Sequence, residues 1–223
     1  MKLSAPLTKE TLRNHFRYNW WKHVLIVILS FFLWDMFYIQ TAYHPPENKR
    51  IDIYVQSAIT DPEALDAYLY PLWQESVPDM ELVSSTVLIP GGAQDYYSNI
   101  QLTTYIVTGQ GDIYMLPASE FKRFAAQGSF VALEDYKDSG QIAAQNLDWD
   151  RGYVTYIETD YDEKIVSSEL HLYGIPCDSL TGFQKAGVPT DNMVLSVAVN
   201  SGNEENCIRF LNALIQYTER QVP

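Results

Sequence analysis

Apolar residues run from Val24 to Ile39 with only Ser30 and Asp35 between them. With the aromatic residues on either side, the stretch 20–43 is long enough for one membrane-crossing helix, since a bilayer core of about 30 Å takes roughly 20 helical residues. Beyond it the pattern changes. Residues 44–50 (HPPENKR) read as a short polar linker stiffened by consecutive prolines. Residues 51–57 (IDIYVQS) alternate as a strand does. Asp61, Pro62 and Glu63 suit a helix start, as N-cap, first-turn proline and first-turn acid. Ala64, Leu65, Tyr68, Leu69 and Leu72 then recur at helical spacing up to Pro78. A second strand is predicted over 80–89, stopped by Pro90-Gly91-Gly92, and a helix over 95–108 ending at Gly109-Gln110-Gly111. Residues 112–116 (DIYML) have the apolar centre of a strand covered on both faces. A helix over 121–127 follows, capped by Gly128.

The rest is less regular. A short strand is predicted over 130–133, a broken helical stretch over 134–145, and strands over 152–158 and 165–175 around an acidic turn at 159–164. One more strand falls at 193–199. A terminal helix over 204–216 carries Cys207, Ile208, Leu211, Leu214 and Ile215 on one face. Strand–helix–strand alternation over 51–133 implies an α/β fold with a mainly parallel sheet flanked by helices. Right-handed crossovers put the strand carboxyl ends on one edge, where open α/β sheets take ligands.

Charge orients the chain. Residues 1–23 hold five Lys and Arg against Glu10, while from His44 onward there are 10 basic and 26 acidic residues, a net −16. Basic excess marks the cytoplasmic flank, so the reading is a cytoplasmic tail at 1–19, a single span at 20–43, a linker at 44–50 and an extracytoplasmic domain at 51–223 of a cell-membrane protein. Residues 40–45 (QTAYHP) offer no clear small-residue cleavage site, so an uncleaved signal-anchor is expected. Asp35 costs on the order of 2.5–3.5 kcal/mol near a span centre, against roughly 3–7 kcal/mol returned by the eleven Leu, Ile, Val and Phe residues around it. Insertion wins. Asp35 then either contacts another membrane helix or reaches headgroup water.

The acidic surface excludes nucleic acid as a partner. An apolar fraction of 47% fits a packed domain rather than a disordered tail. Cys177 and Cys207 could form a disulfide outside the cytoplasm or remain two buried thiols. The four histidines are scattered, and Glu158, Asp160, Asp162 and Glu163 lack EF-hand spacing, so no metal and no cofactor is expected. No nucleophile motif or phosphate loop is present, and no enzymatic activity is expected.

Residues 111–117 (GDIYMLP) with 121–136 (FKRFAAQGSFVALEDY), Tyr173-Gly174-Ile175-Pro176, and 206–214 (NCIRFLNAL) resemble, in that order, segments of the extracellular solute-binding proteins of ABC importers. The likeness spans about two-thirds of the outer domain. It implies one periplasmic-binding-protein-like lobe, with Tyr173–Pro176 at the hinge crossing. Those proteins then build a second lobe, for which only about thirty residues remain here between Pro176 and the terminal helix. The resemblance thus implies half a clamshell on a tether, acting with membrane transporter subunits on a small polar solute. The alternative is a non-catalytic interaction or sensory subunit that takes no small ligand.

Three loops should line the strand carboxyl edge: 57–61, 90–95 and 117–120. Within them Ser57, Asp61, Gly91, Gly92, Gln94, Asp95, Pro117, Ser119 and Glu120 are candidate ligand contacts. The glycines allow close backbone approach and the polar side chains offer hydrogen bonds, although ordinary turns and caps use the same residues. Trp73, Trp149 and Tyr153 are candidate stacking platforms, whereas Tyr97, Tyr105, Tyr114 and Tyr173 fall within elements as core or rim.

Overall fold

The computed structural model describes residues 9–43, 45–58, 62–90, 93–144, 147–159 and 165–220. The chain divides into two compact units, Met1–His44 and Pro45–Pro223. Among the described residues the first holds one helix, α1 (Lys9–Thr41). Residues 9–19, which contain neither Gly nor Pro, are helical as well. Within α1, Arg17–Thr41 has a mean hydropathy of 1.8 and is long and apolar enough to cross a membrane. At 1.5 Å per residue α1 is about 50 Å long, more than a bilayer core requires.

The second unit is mixed α/β. A 3-10 turn at Glu47–Lys49 leads into β1 (Arg50–Val55), followed by α2 (Pro62–Ser76), β2 (Leu82–Val87), α3 (Ala93–Val107), β3 (Ile113–Pro117) and α4 (Ala118–Ala125). Next come α5 (Glu134–Asp138), the hairpin β4 (Tyr153–Thr159) and β5 (Ile165–Leu172), then β6 (Ile175–Pro176), α6 (Thr181–Lys185), β7 (Met193–Val197) and α7 (Glu204–Arg220). The main sheet has the order β2-β1-β3-β7-β6. β1 pairs in parallel with both β2 and β3, while β7 lies antiparallel between β3 and β6. Four of the five strands therefore share one direction.

Period-two alternation sorts the core. Odd positions Ile51, Ile53, Val55, Ile113, Met115, Met193, Leu195 and Val197 join Leu65, Leu69 and Leu72 of α2 and Ile208, Phe210, Leu211 and Leu214 of α7. Even positions Tyr114, Leu116 and Val194 join Leu102 of α3 and Phe121 and Phe124 of α4 on the other face. β3 is covered on both sides, hence its apolar run. α2 continues through Pro71, which costs one backbone hydrogen bond, because Leu65, Leu69 and Leu72 bury the opposite face.

Several sequence expectations change. Phe130 makes an isolated bridge to Ala198 and no strand forms over 130–133. The stretch 165–175 is two strands, broken at Tyr173 and Gly174 where the chain leaves the hairpin for the main sheet. The broken helical stretch at 134–145 reduces to the five residues of α5. α6 has no counterpart in the sequence pattern. Cys177 and Cys207 are free and buried, and burial pushes both thiols well above their ordinary range. Trp73, Trp149 and Tyr153 pack against the core rather than standing free, and the Trp73 indole donates to the Met80 carbonyl at 3.0 Å. Tyr97, expected in core or rim, is exposed.

Candidate functional site at the carboxyl edge

β1, β3 and β6 end at one edge, and β7 starts there. The Gln56 N–H donates to the Met115 carbonyl at 3.0 Å, the Ala118 N–H to the Asn192 carbonyl at 2.9 Å, and the Cys177 N–H to the Met193 carbonyl at 2.9 Å. These bonds fix the edge as the row Ser57, Pro117, Asn192, Asp178. Ser57 is buried at the end of β1. Pro117 closes β3 and stands at the N-cap of α4, and Ser119 is exposed in the first turn of that helix. Glu120 is engaged by Arg123, whose Nε lies 3.0 Å away, so its carboxylate is already matched. Asp61, Gly91 and Gly92 lie outside the described residues. Gln94 and Asp95 fall in the first turn of α3, but their side chains are outside the described set.

The sequence reading missed a polar ring on this edge. Arg151 donates from Nη1 to Asp178 Oδ2 and from Nη2 to Asn192 Oδ1 at 2.8 Å, and the Asn192 N–H donates to Asp178 Oδ1 at 3.1 Å. Burial alone would raise the Asp178 carboxyl, but the Arg151 guanidinium and the Asn192 N–H hold it below its ordinary value. Asn192 has φ +58° and occupies the third position of a turn closed by the Met193 N–H on the Thr190 carbonyl. Asn tolerates that conformation better than most residues, which is the signal the sequence offered before the strand at 193. The spacing of 27 residues between Arg151 and Asp178 gave none.

A cleft of about 240 Å³ beside the ring is lined by Leu147, Asp148, Arg151, Pro176, Asp178 and Ser179. Ligand sites that enclose a small molecule are commonly about 300–1,000 Å³, so this edge offers one wall of a site rather than an enclosed one. Arg151 is paired with Asp178 and Arg123 with Glu120, while Asp148 adds a further carboxylate to the cleft lining. The edge can give and accept hydrogen bonds, with the hydroxyl-bearing Ser179 among its lining residues. No group of three or more His, Cys, Asp or Glu side chains is placed to hold a metal among the described residues.

The opposite edge carries a second polar cluster. Asp112, 5% exposed, accepts the Asp52 N–H at 2.8 Å. Asp52 in turn accepts Ser84 Oγ at 2.7 Å and faces Arg50 Nε at 3.0 Å. Asn203, just before α7, donates to the carbonyls of Glu47 and Arg50 and so ties the entry of β1 to the start of the last helix.

No protein-family model and no curated protein sequence matches this chain. Among solved structures it is similar to an extracellular solute-binding protein family 1 member from Alicyclobacillus acidocaldarius subsp. acidocaldarius DSM 446, at 16% identity and a TM-score of 0.39, over 60% of this chain and 29% of that one. It is also similar to an ABC substrate-binding protein from Listeria monocytogenes solved in complex with cycloalternan, at 21% identity and a TM-score of 0.35, over 56% of this chain and 28% of that one. The matched region spans less than a third of either solved chain.

Proposed function

We propose that this chain is a membrane-anchored, extracytoplasmic, solute-binding-like subunit that works with a membrane transporter of the ABC type and takes a small polar solute on the carboxyl edge of its sheet. The observation that carries this reading is the convergence on one open edge of three strand ends and the Arg151–Asp178–Asn192 ring. That is where open α/β sheets accept ligands. α1 is the anchor, Asp35 is its contact with another membrane protein, and the basic end of α1 stays cytoplasmic. Ser57, Pro117 and Ser119 belong to the binding wall, and Asp61, Gly91, Gly92, Gln94, Asp95 and Glu120 are proposed as further ligand contacts.

The short chain between β6 and β7 favours a second reading. It holds α6 and connecting turns, with no second sheet among the described residues. A lobe of this kind can serve as an interaction or sensory subunit whose uncovered edge meets a protein. Melting the full chain in detergent against sugars, amino acids and short peptides at 10 mM separates the two. Binding stabilises by RT ln(1 + [L]/Kd), about 2.7 kcal/mol at a hundredfold excess over Kd. A shift with one chemical class supports solute binding, and no shift with any class leaves the interaction subunit.

A further inference from the structure

Residues 24–43 hold a single charged side chain, Asp35. Two hydroxyls near it are satisfied within the helix. Ser30 Oγ donates to the Ile26 carbonyl at 2.8 Å and Thr41 Oγ1 to the Phe37 carbonyl at 2.6 Å. A carboxylate has no proton to give to such a carbonyl. Asp35 stands exposed on the helix surface, and among the described residues no hydrogen bond or ion pair reaches it. The side chains one turn away, Phe31, Phe32, Tyr38 and Ile39, are exposed as well. α1 offers no cation of its own at this level. It holds no Lys or Arg beyond Lys22, 13 residues before Asp35 and about 20 Å away along the axis.

Depth keeps this carboxylate from water. With residues 20–43 as the span, Asp35 lies eight residues from the outer end, about 12 Å along the axis. Long Lys and Arg side chains bridge such a distance to the interface, but a carboxylate on a single carbon does not. Helical side chains also tilt toward the helix N-terminus. With the basic end inside, Asp35 leans toward the bilayer centre and away from the outer headgroups. Charged groups at that depth are costly unless they are paired.

We propose that Asp35 docks a membrane-spanning helix of the transporter that carries a Lys or Arg at the same depth. This rests on α1 being the membrane anchor of the proposed transporter subunit. Charge selects the occupant. A second copy of the chain would set carboxylate against carboxylate at one level, and like charges repel strongly where the dielectric is low. Lipid phosphate repels the carboxylate too. A neutral hydroxyl or amide gives it a weaker hydrogen bond than a cationic donor does. A cation on a long stem also crosses the gap that the rings of Phe31 and Phe32 hold open between two helices.

The test reconstitutes the full chain in phosphatidylcholine vesicles with a membrane-spanning peptide of Leu and Ala. The peptide carries one Lys eight residues from its dansyl-labelled end. Energy transfer to dansyl from the tryptophans of α1, Trp34 beside Asp35 among them, reports docking. The expected result is at least threefold more transfer than with the same peptide bearing Leu in place of Lys. Asp35→Asn keeps a hydrogen-bonding side chain without the charge and removes that excess, whereas Asp35→Glu retains it. Equal transfer for the Lys and Leu peptides overturns the proposal, and is the outcome for a carboxyl that simply holds a proton. An excess that survives D35N overturns it as well. Alkaline carbonate separates this proposal from the anchor reading. A chain that stays with the vesicles but shows no preference for Lys contradicts the pairing alone, and a chain that carbonate extracts contradicts both.

Discussion

At the scale of single residues, one buried carboxylate, Asp112, adds its own pH response to the outer unit. Asp112 lies beside Asp52 on the neighbouring strand. Burial pushes its carboxyl up to about 6, the Asp52 N–H it accepts pulls it back, and the charge on Asp52 adds to the rise. Since the folded value lies above the ordinary aspartate value, the folded state holds this proton more tightly than the unfolded chain. Stability from this group is full below about pH 4 and is lost as pH rises through 6. Asp112→Asn keeps an oxygen for the Asp52 N–H and removes the charge. At pH 7.5 the variant is expected to be more stable than the parent by about 1–2 kcal/mol, with the two converging near pH 4. Denaturant midpoints of the Pro45–Pro223 unit across that range check it, and a parallel offset at every pH would contradict it. The Gly-Asp pair at 111–112 was visible in the sequence, but the pairing of Asp112 with Asp52 was not, because the two are 60 residues apart and meet only through the parallel register of β1 and β3.

At the scale of elements, strong periodicity told most. α2, α3, α7, β1, β2 and β3 lie within a few residues of where apolar spacing, caps and glycine stops put them. Gly128, at φ +72°, ends the α4 region as expected, and the ring of Tyr156 occupies the place of a side chain there. The legible part fades where tertiary contact decides. Phe130 to Leu133 has a strand's composition but finds one bridge partner, and the strand expected over 165–175 breaks because Gly174 must pass against β7 and α4. A Cβ on Gly174 would lie 2.3 Å from Val194 Cγ1 and 2.8 Å from the Phe121 ring. Gly174→Ala should therefore force β6 off β7 and cost roughly 2–4 kcal/mol. Urea unfolding of the Pro45–Pro223 unit measures this. A loss below 0.5 kcal/mol, within the ordinary range of surface substitutions, would mean that β6 is not held in this contact.

For the whole molecule, the sequence conveyed an apolar helix ahead of an α/β unit, because hydropathy and element alternation are local signals. It did not convey that β7 runs antiparallel between β3 and β6, since strand order and direction leave no local trace. That insertion creates the Arg151–Asp178–Asn192 ring, drawing together residues from three separate connections. The candidate site was thus half legible: Ser57, Pro117 and Ser119 followed from the strand ends, and the charged half did not. Hydrogen exchange of the full chain in detergent, with and without the solute that raises its melting temperature, tests the central claim most directly. The account predicts slowed exchange at the amides of Ser57, Ala118, Ser119 and Asn192, together on the carboxyl edge. Protection confined to the opposite edge around Asp52 and Asp112, or none at the carboxyl edge, would contradict it.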